Sequence, residues 1–128
     1  MKKHSDLEAW IEHAEDDFNN SRRLIRGSKP SSYGTCFHAQ QCAEKYMKAL
    51  LVFKNRAFPL THDLSLINNL LVQAGIFTGI SEDELETLSA YAVAARYPGA
   101  GPTVEDAKEA IQIAKTIRKF SRAFLGLK

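Results

Sequence analysis

A chain of 128 residues, 45% hydrophobic and 25% charged, has the make-up of one domain able to bury its own core. A formal charge of +2 is too small to demand a polyanionic partner. No apolar run reaches the roughly 20 residues that cross a bilayer, and Met1-Lys2-Lys3-His4-Ser5-Asp6 lacks the apolar core of a secretion signal, so a cytoplasmic protein without a membrane contact is expected.

Ser5 and Glu8 form a capping-box pattern at the start of a first helix. Leu7, Ile11, Ala14, Phe18, Ser21 and Ile25 then follow the three-four spacing of a buried stripe, and Gly27 and Pro30 end it. Arg22, Arg23 and Arg26 fall in the last turns, where positive charge complements the helix dipole. No further role is read from them.

A second helix is predicted from about Ser32 to Phe53. Cys36, Ala39, Cys42, Ala43, Tyr46, Met47, Ala49, Leu50 and Phe53 occupy a broad apolar arc. The remaining side holds His38, Gln40, Gln41, Glu44, Lys45 and Lys48, with Phe37, Leu51 and Val52 threaded among them. A helix that is apolar on most sides belongs at the centre of a bundle, and its polar stripe is then expected at a cleft or subunit interface. Glu44 and Lys48 also have the i, i+4 order of a simple solvated ion pair. Cys36 and Cys42 are about 9 Å apart along such a helix, too far for a disulfide, so both are expected to be buried thiols. Neither they nor the four scattered histidines have zinc-site spacing.

Phe58-Pro59 breaks the chain, and Thr61 can cap a shorter helix carrying Leu64, Ile67, Leu70, Leu71 and Ala74, stopped by Gly75. Ser81 with Glu84 offers a capping box for a fourth helix bearing Leu85, Leu88, Ala92 and Ala95, ended by Arg96-Tyr97-Pro98-Gly99. Thr103 starts a fifth, with Ala110, Ile113, Ile117, Phe120 and Phe124 inside. Lys108, Lys115, Lys119 and Arg122 recur along one side of it and read as a solvated face. No strand pattern, repeat or long linker interrupts the series. The expectation is an all-α protein, an antiparallel up-and-down four-helix bundle with an additional short helix, in one domain over residues 1–128.

The run Phe37-His38-Ala39-Gln40-Gln41-Cys42-Ala43-Glu44-Lys45-Tyr46-Met47-Lys48-Ala49 resembles the second-helix signature of HEPN domains. Thr61-His62-Asp63-Leu64 is similar to the family's next helix start, and Arg96-Tyr97-Pro98 to the motif ending its fourth helix. Trp10 and the Ala-rich opening of the last helix also fit. The resemblance implies a helical bundle, commonly a homodimer, that often acts beside a separately encoded minimal nucleotidyltransferase. Some such domains bind nucleotides; others are metal-independent ribonucleases that serve in toxin–antitoxin pairs.

The ribonucleases of that family carry an arginine followed four to six residues later by histidine. Histidine moves the proton and arginine stabilises charge on the phosphorane. Arg96 matches the arginine, but Tyr97 to Thr103 contain no histidine, and His4, His13, His38 and His62 all precede it. No catalytic residue is therefore carried over, unless His38 or His62 approaches Arg96 in space. Arg96 also has a structural alternative, an ion pair with Glu44. Gly99-Ala100-Gly101 has neither the third glycine nor the strand of a dinucleotide motif and reads as a plain connection.

The reading that results is an accessory domain binding a nucleotide or nucleic-acid substrate, with no metal or cofactor of its own. Lys45, Lys48 and Arg96 would face phosphate, while His38 and Gln41 supply hydrogen bonds. Tyr97 would stack, and Glu44 would orient the cations. A metal-independent RNA endonuclease and a homodimeric interaction module, the dimer resting on Phe37, Leu51 and Val52, are the alternatives.

Overall fold

Residues 4–94 and 101–128 are described by the computed structural model, and they form five helices and no strand. These are α1 (His4–Leu24), α2 (Ser32–Phe53), α3 (Leu64–Gln73), α4 (Glu82–Ala94) and α5 (Val104–Phe124). The all-α class expected from the periodicity is what the chain adopts. No helix among the described residues is long and apolar enough to cross a membrane.

Local chemistry sets the boundaries. Ser31 caps α2 by accepting from the Gly34 amide at 3.1 Å. Ser81 and Glu84 form the expected capping box, with Glu84 N donating to Ser81 Oγ at 3.1 Å and Ser81 N to Glu84 Oε1 at 3.2 Å. Thr103 and Asp106 do the same for α5. Two expectations shift. α1 already includes His4 and Ser5, so Ser5 lies within its first turn. Asp63, not Thr61, caps α3, its carboxylate accepting from the amides of Ser65 and Leu66.

The end of α2 matters most for the site. Asn55 has a φ of 55°. Its amide donates to Val52 O at 3.0 Å, and the Arg56 amide donates to Leu51 O at 2.9 Å. That left-handed stop closes the helix and turns the chain back along its own side.

α2 packs against all four other helices. Ala39, Cys42, Ala43, Tyr46, Met47, Leu50 and Leu51 are fully buried, and each of the larger ones contributes about 1.5–3 kcal/mol by burial. This bears out the central placement of the helix. It also corrects the expected dimer surface: Leu51 and Val52 are inside the protomer, and Phe37 is half-buried. They look interleaved with charges because those charges are themselves covered. α1 and α2 are antiparallel, joined by a tight connection in which Ser31 N donates to Leu24 O at 2.8 Å. α5 runs alongside α2, Arg122 reaching Tyr46 at 3.2 Å and Phe124 meeting Phe53 at 6.0 Å. The C-terminal end of α1 therefore shares one end of the molecule with the start of α2.

Candidate functional site

The polar stripe of α2 divides into two neighbourhoods, each built around one buried carboxylate. Glu44 is the first. Its Oε2 accepts from Lys48 Nζ at 2.9 Å, and its Oε1 accepts from Gln40 Nε2 at 3.0 Å and faces His62 Nδ1 at 2.8 Å. The returning chain completes this network. Lys48 Nζ donates to Thr61 O at 3.0 Å, and Gln40 Nε2 is 3.3 Å from His62 O. The rings of Trp10 and Phe58 meet edge to face at 5.9 Å, with the Lys48 ammonium 5.8 Å and 5.6 Å from their centroids. Lys48 is thus a buried cation with its partners already supplied, and Gln41 is tied back to Gln40 Oε1 at 2.7 Å.

Asp17 of α1 is the second. Its two oxygens hold His38 Nδ1 at 2.8 Å and Lys45 Nζ at 2.6 Å. Lys45 and His38 keep part of their surface open, with side chains 24% and 28% exposed, while Asp17 is largely covered at 10%. Beside them, Asp6, Ala9, Trp10, His13 and Lys45 line a groove of about 250 Å³ between α1 and α2. A depression of about 300 Å³ lies beyond His62, but Asp63 and Glu86 in its lining disfavour an anion.

A third carboxylate locks the α1–α5 contact rather than a site. Glu15 accepts from Arg118 Nε at 2.6 Å and Arg118 Nη2 at 2.9 Å, and from the Tyr46 hydroxyl. Burial pushes the Glu15 carboxyl up, but the Arg118 and Tyr46 hydrogen bonds outweigh it and hold the group below its usual range. The bidentate Glu15 partner raises Arg118 in turn, against its partial burial. Burial, with the Glu15 hydrogen bond behind it, drives the Tyr46 phenol far above its ordinary value.

Among the described residues no group of three or more His, Cys, Asp or Glu side chains is arranged to hold a metal ion. Arg96 and Tyr97 lie outside the described residues, and so does the expected Arg96–Glu44 pair.

A model of the HEPN domain matches residues 7–124. The chain belongs to the HEPN family. Two solved structures share the fold. TT1696 from Thermus thermophilus is 27% identical with a TM-score of 0.70, the match covering 91% of this chain and 96% of that one. ST0689, an archaeal HEPN homologue, is 28% identical with a TM-score of 0.65, covering 91% and 95%. No curated protein matches.

In this HEPN domain the structure brings His38 and Lys45 together on Asp17, and places Glu44 and Lys48 with Gln40 and His62 on the other flank. Gln41 lies between. Asp17 and His13 stand outside the residues expected at the site, and Trp10 enters the expectation only through the family resemblance. The signal was present: Asp6, Trp10, His13 and Asp17 are spaced four, three and four apart, one polar-aromatic stripe on the side of α1 that meets α2.

Proposed function

We propose that this HEPN domain is an accessory module that binds a nucleotide or nucleic-acid substrate in the α1–α2 groove and works with a separately encoded minimal nucleotidyltransferase. The observation that carries this reading is the groove's lining, which gathers an indole, an imidazole and an ammonium with a single carboxylate, Asp6. Trp10 offers a face for a base, and Lys45 and His13 offer donors to a phosphate. Asp17 positions Lys45 and His38, the part first assigned to Glu44. Lys48 acts from below by fixing Trp10 and Phe58 rather than by meeting phosphate. Arg96 and Tyr97 stay in the proposal as further ligand contacts. Transfer chemistry falls to the partner, and a homodimer is part of the same reading. The exposed Phe53 and Phe124 rings, 47% and 39% accessible, replace Leu51 and Val52 as its apolar contribution.

Trp10 is the single tryptophan, so its fluorescence reports on the groove alone. Titration with ATP, GTP, CTP and UTP is expected to quench or shift that emission saturably with at least one nucleotide, and Lys45→Ala to weaken the effect about tenfold. No saturable change with any nucleotide, in protein that melts cooperatively, overturns the nucleotide reading. Co-expression with a neighbouring nucleotidyltransferase, followed by co-purification, tests the partner. A metal-independent ribonuclease would instead cleave RNA in the presence of chelator.

A further inference from the structure

The chain between α2 and α3, residues 54–63, lies over the buried Glu44–Lys48 pair with little apolar surface to hold it down. Leu60 is fully exposed, and of these residues only Phe58 and Thr61 are even partly covered. The bonds that fasten the segment are polar and converge on one carboxylate. Lys48 Nζ donates to Thr61 O at 3.0 Å and Gln40 Nε2 to His62 O at 3.3 Å, and both donors also bind Glu44. The His62 ring does so as well, its Nδ1 2.8 Å from Glu44 Oε1. Just beyond, the Leu64 amide donates to Ser89 Oγ of α4 at 2.9 Å. Phe58 makes the apolar contact, its ring edge to face with Trp10.

We propose that residues 54–63 form a pH-governed strap, which the imidazolium of His62 latches onto Glu44 and which loosens from Lys48 and Trp10 when the ring gives up its proton. His62 is suited to this because its side chain is 59% exposed while that of Glu44 is 5% exposed. A proton reaches the ring without the strap opening. Imidazole is the side chain whose charge ordinarily changes between about pH 5 and 8. The charged groups facing it are Glu44 and Lys48 of α2, the adjoining Asp63, and Glu86 of α4 across the depression that His62 lines. Lys54 and Arg56, the other charged residues of the strap, are exposed. Three carboxylates against one ammonium draw a positive ring inward. A neutral ring can still donate from Nδ1, but a bond between neutral donor and carboxylate is weaker than one between two charges, so the latch loosens rather than breaks. The strap carries Phe58, and Phe58 covers Trp10, an aromatic wall of the α1–α2 groove. Its position therefore sets how far that indole is free, whatever occupies the groove.

The test is amide hydrogen exchange of the full chain, with no ligand present, followed by NMR between about pH 5.5 and 8. Rates are expressed as protection factors, so that the intrinsic pH dependence of exchange divides out. Protection of the Leu64 amide is expected to fall about threefold across that range as the latch loosens. Trp10 emission should move to longer wavelength over the same range as Phe58 withdraws and water reaches the indole. H62Q keeps a donor but no charge, and its Leu64 protection should not change with pH. H62N, measured beside it, should be flat as well, which guards against a folding defect in either variant. H13Q removes the imidazole that lines the groove and should leave the Leu64 change in place. Flat Leu64 protection in the parent, or the parent's pH dependence retained in H62Q and H62N, overturns the proposal. So does an equal fall at Ile117 in the buried face of α5, which would mark a loss of global stability rather than a strap. A failed nucleotide titration would remove the nucleotide reading and leave these ligand-free results standing.

Discussion

Glu44 and Lys48 stand one helical turn apart with their charged atoms 2.9 Å from each other, and their side chains are only 5% and 6% exposed. The spacing is that of an ordinary surface pair, worth a few tenths of a kcal/mol. Burial changes its meaning. A chain segment, two aromatic rings and an imidazole cover the pair, so each charge relies on the other and on Thr61 O, Gln40 and His62 for the hydrogen bonds that water would have supplied.

Breaking the pair from one side should therefore be far more damaging than its spacing suggests. Lys48→Met strands the Glu44 carboxylate, and a loss of about 3–5 kcal/mol is expected, or a melting temperature lower by about 10 °C or more. Glu44→Gln combined with Lys48→Met removes both charges and should recover a large part of that loss. Thermal melts of the single and double variants check it. A single variant that melts within about 2 °C of the parent would show that the network is loose and open to water.

Glu15 sets the acid limb of stability. Its folded carboxyl is held below the unfolded value of about 4.3, because the Arg118 and Tyr46 hydrogen bonds overcome the effect of burial. A depressed carboxyl contributes fully above the unfolded value and loses that contribution as pH falls from about 4.3 through the folded value. Glu15→Gln is expected to lower stability by about 2 kcal/mol near pH 7 through loss of charge-assisted bonds. The gap between parent and variant should narrow as pH falls below about 4.3 and on through the depressed folded value. Guanidinium titrations across that range measure it, and a gap that stays constant would contradict the assignment.

Both thiols should be inert while the protein is folded. Burial, with Asp106 adding to it, pushes Cys36 up to about 12. Burial with the nearby Glu15 and Asp17 charges raises Cys42 further still. A thiol-specific disulfide reagent near pH 8 is expected to react about a hundredfold or more slower than with a free cysteine, and then to titrate two thiols once denaturant is added. Fast native labelling of Cys36 would reveal an opening at the start of α2 that its burial denies.

How much of this was legible in the sequence follows from the range of the interaction concerned. Helix caps, stops and apolar stripes depend on neighbours three or four residues away, so Ser81 with Glu84, Thr103 as the start of α5 and the stripe of α5 could be read directly. The mixed polar side of α2 was legible as unusual. Its division was not, because that depends on partners 18 to 28 residues distant: His62 for Glu44, and Asp17 for Lys45. The left-handed Asn55 that folds the chain back over Lys48 gives only a weak signal, an asparagine past a helix end. Once that turn is made, a cation expected to meet ligand becomes part of the core, and the half-buried indole of Trp10 lines the groove instead.

Asp17 gives the sharpest test of the α1–α2 groove, since it fixes Lys45 and His38 while offsetting the charge of Lys45. Two effects oppose each other in Asp17→Asn. Loss of the carboxylate leaves the groove more positive, an effect that salt screens. Loss of the hydrogen bonds lets Lys45 move and lowers stability by about 1–3 kcal/mol. The stability loss falls on folding rather than on binding, so nucleotide affinity of the folded protein, read from Trp10 emission, should rise several-fold in low salt, and this gain should fade as salt increases. Lys45→Ala should move affinity the other way. If both substitutions weaken binding to the same degree, positioning outweighs charge, and Lys45 is not the phosphate contact.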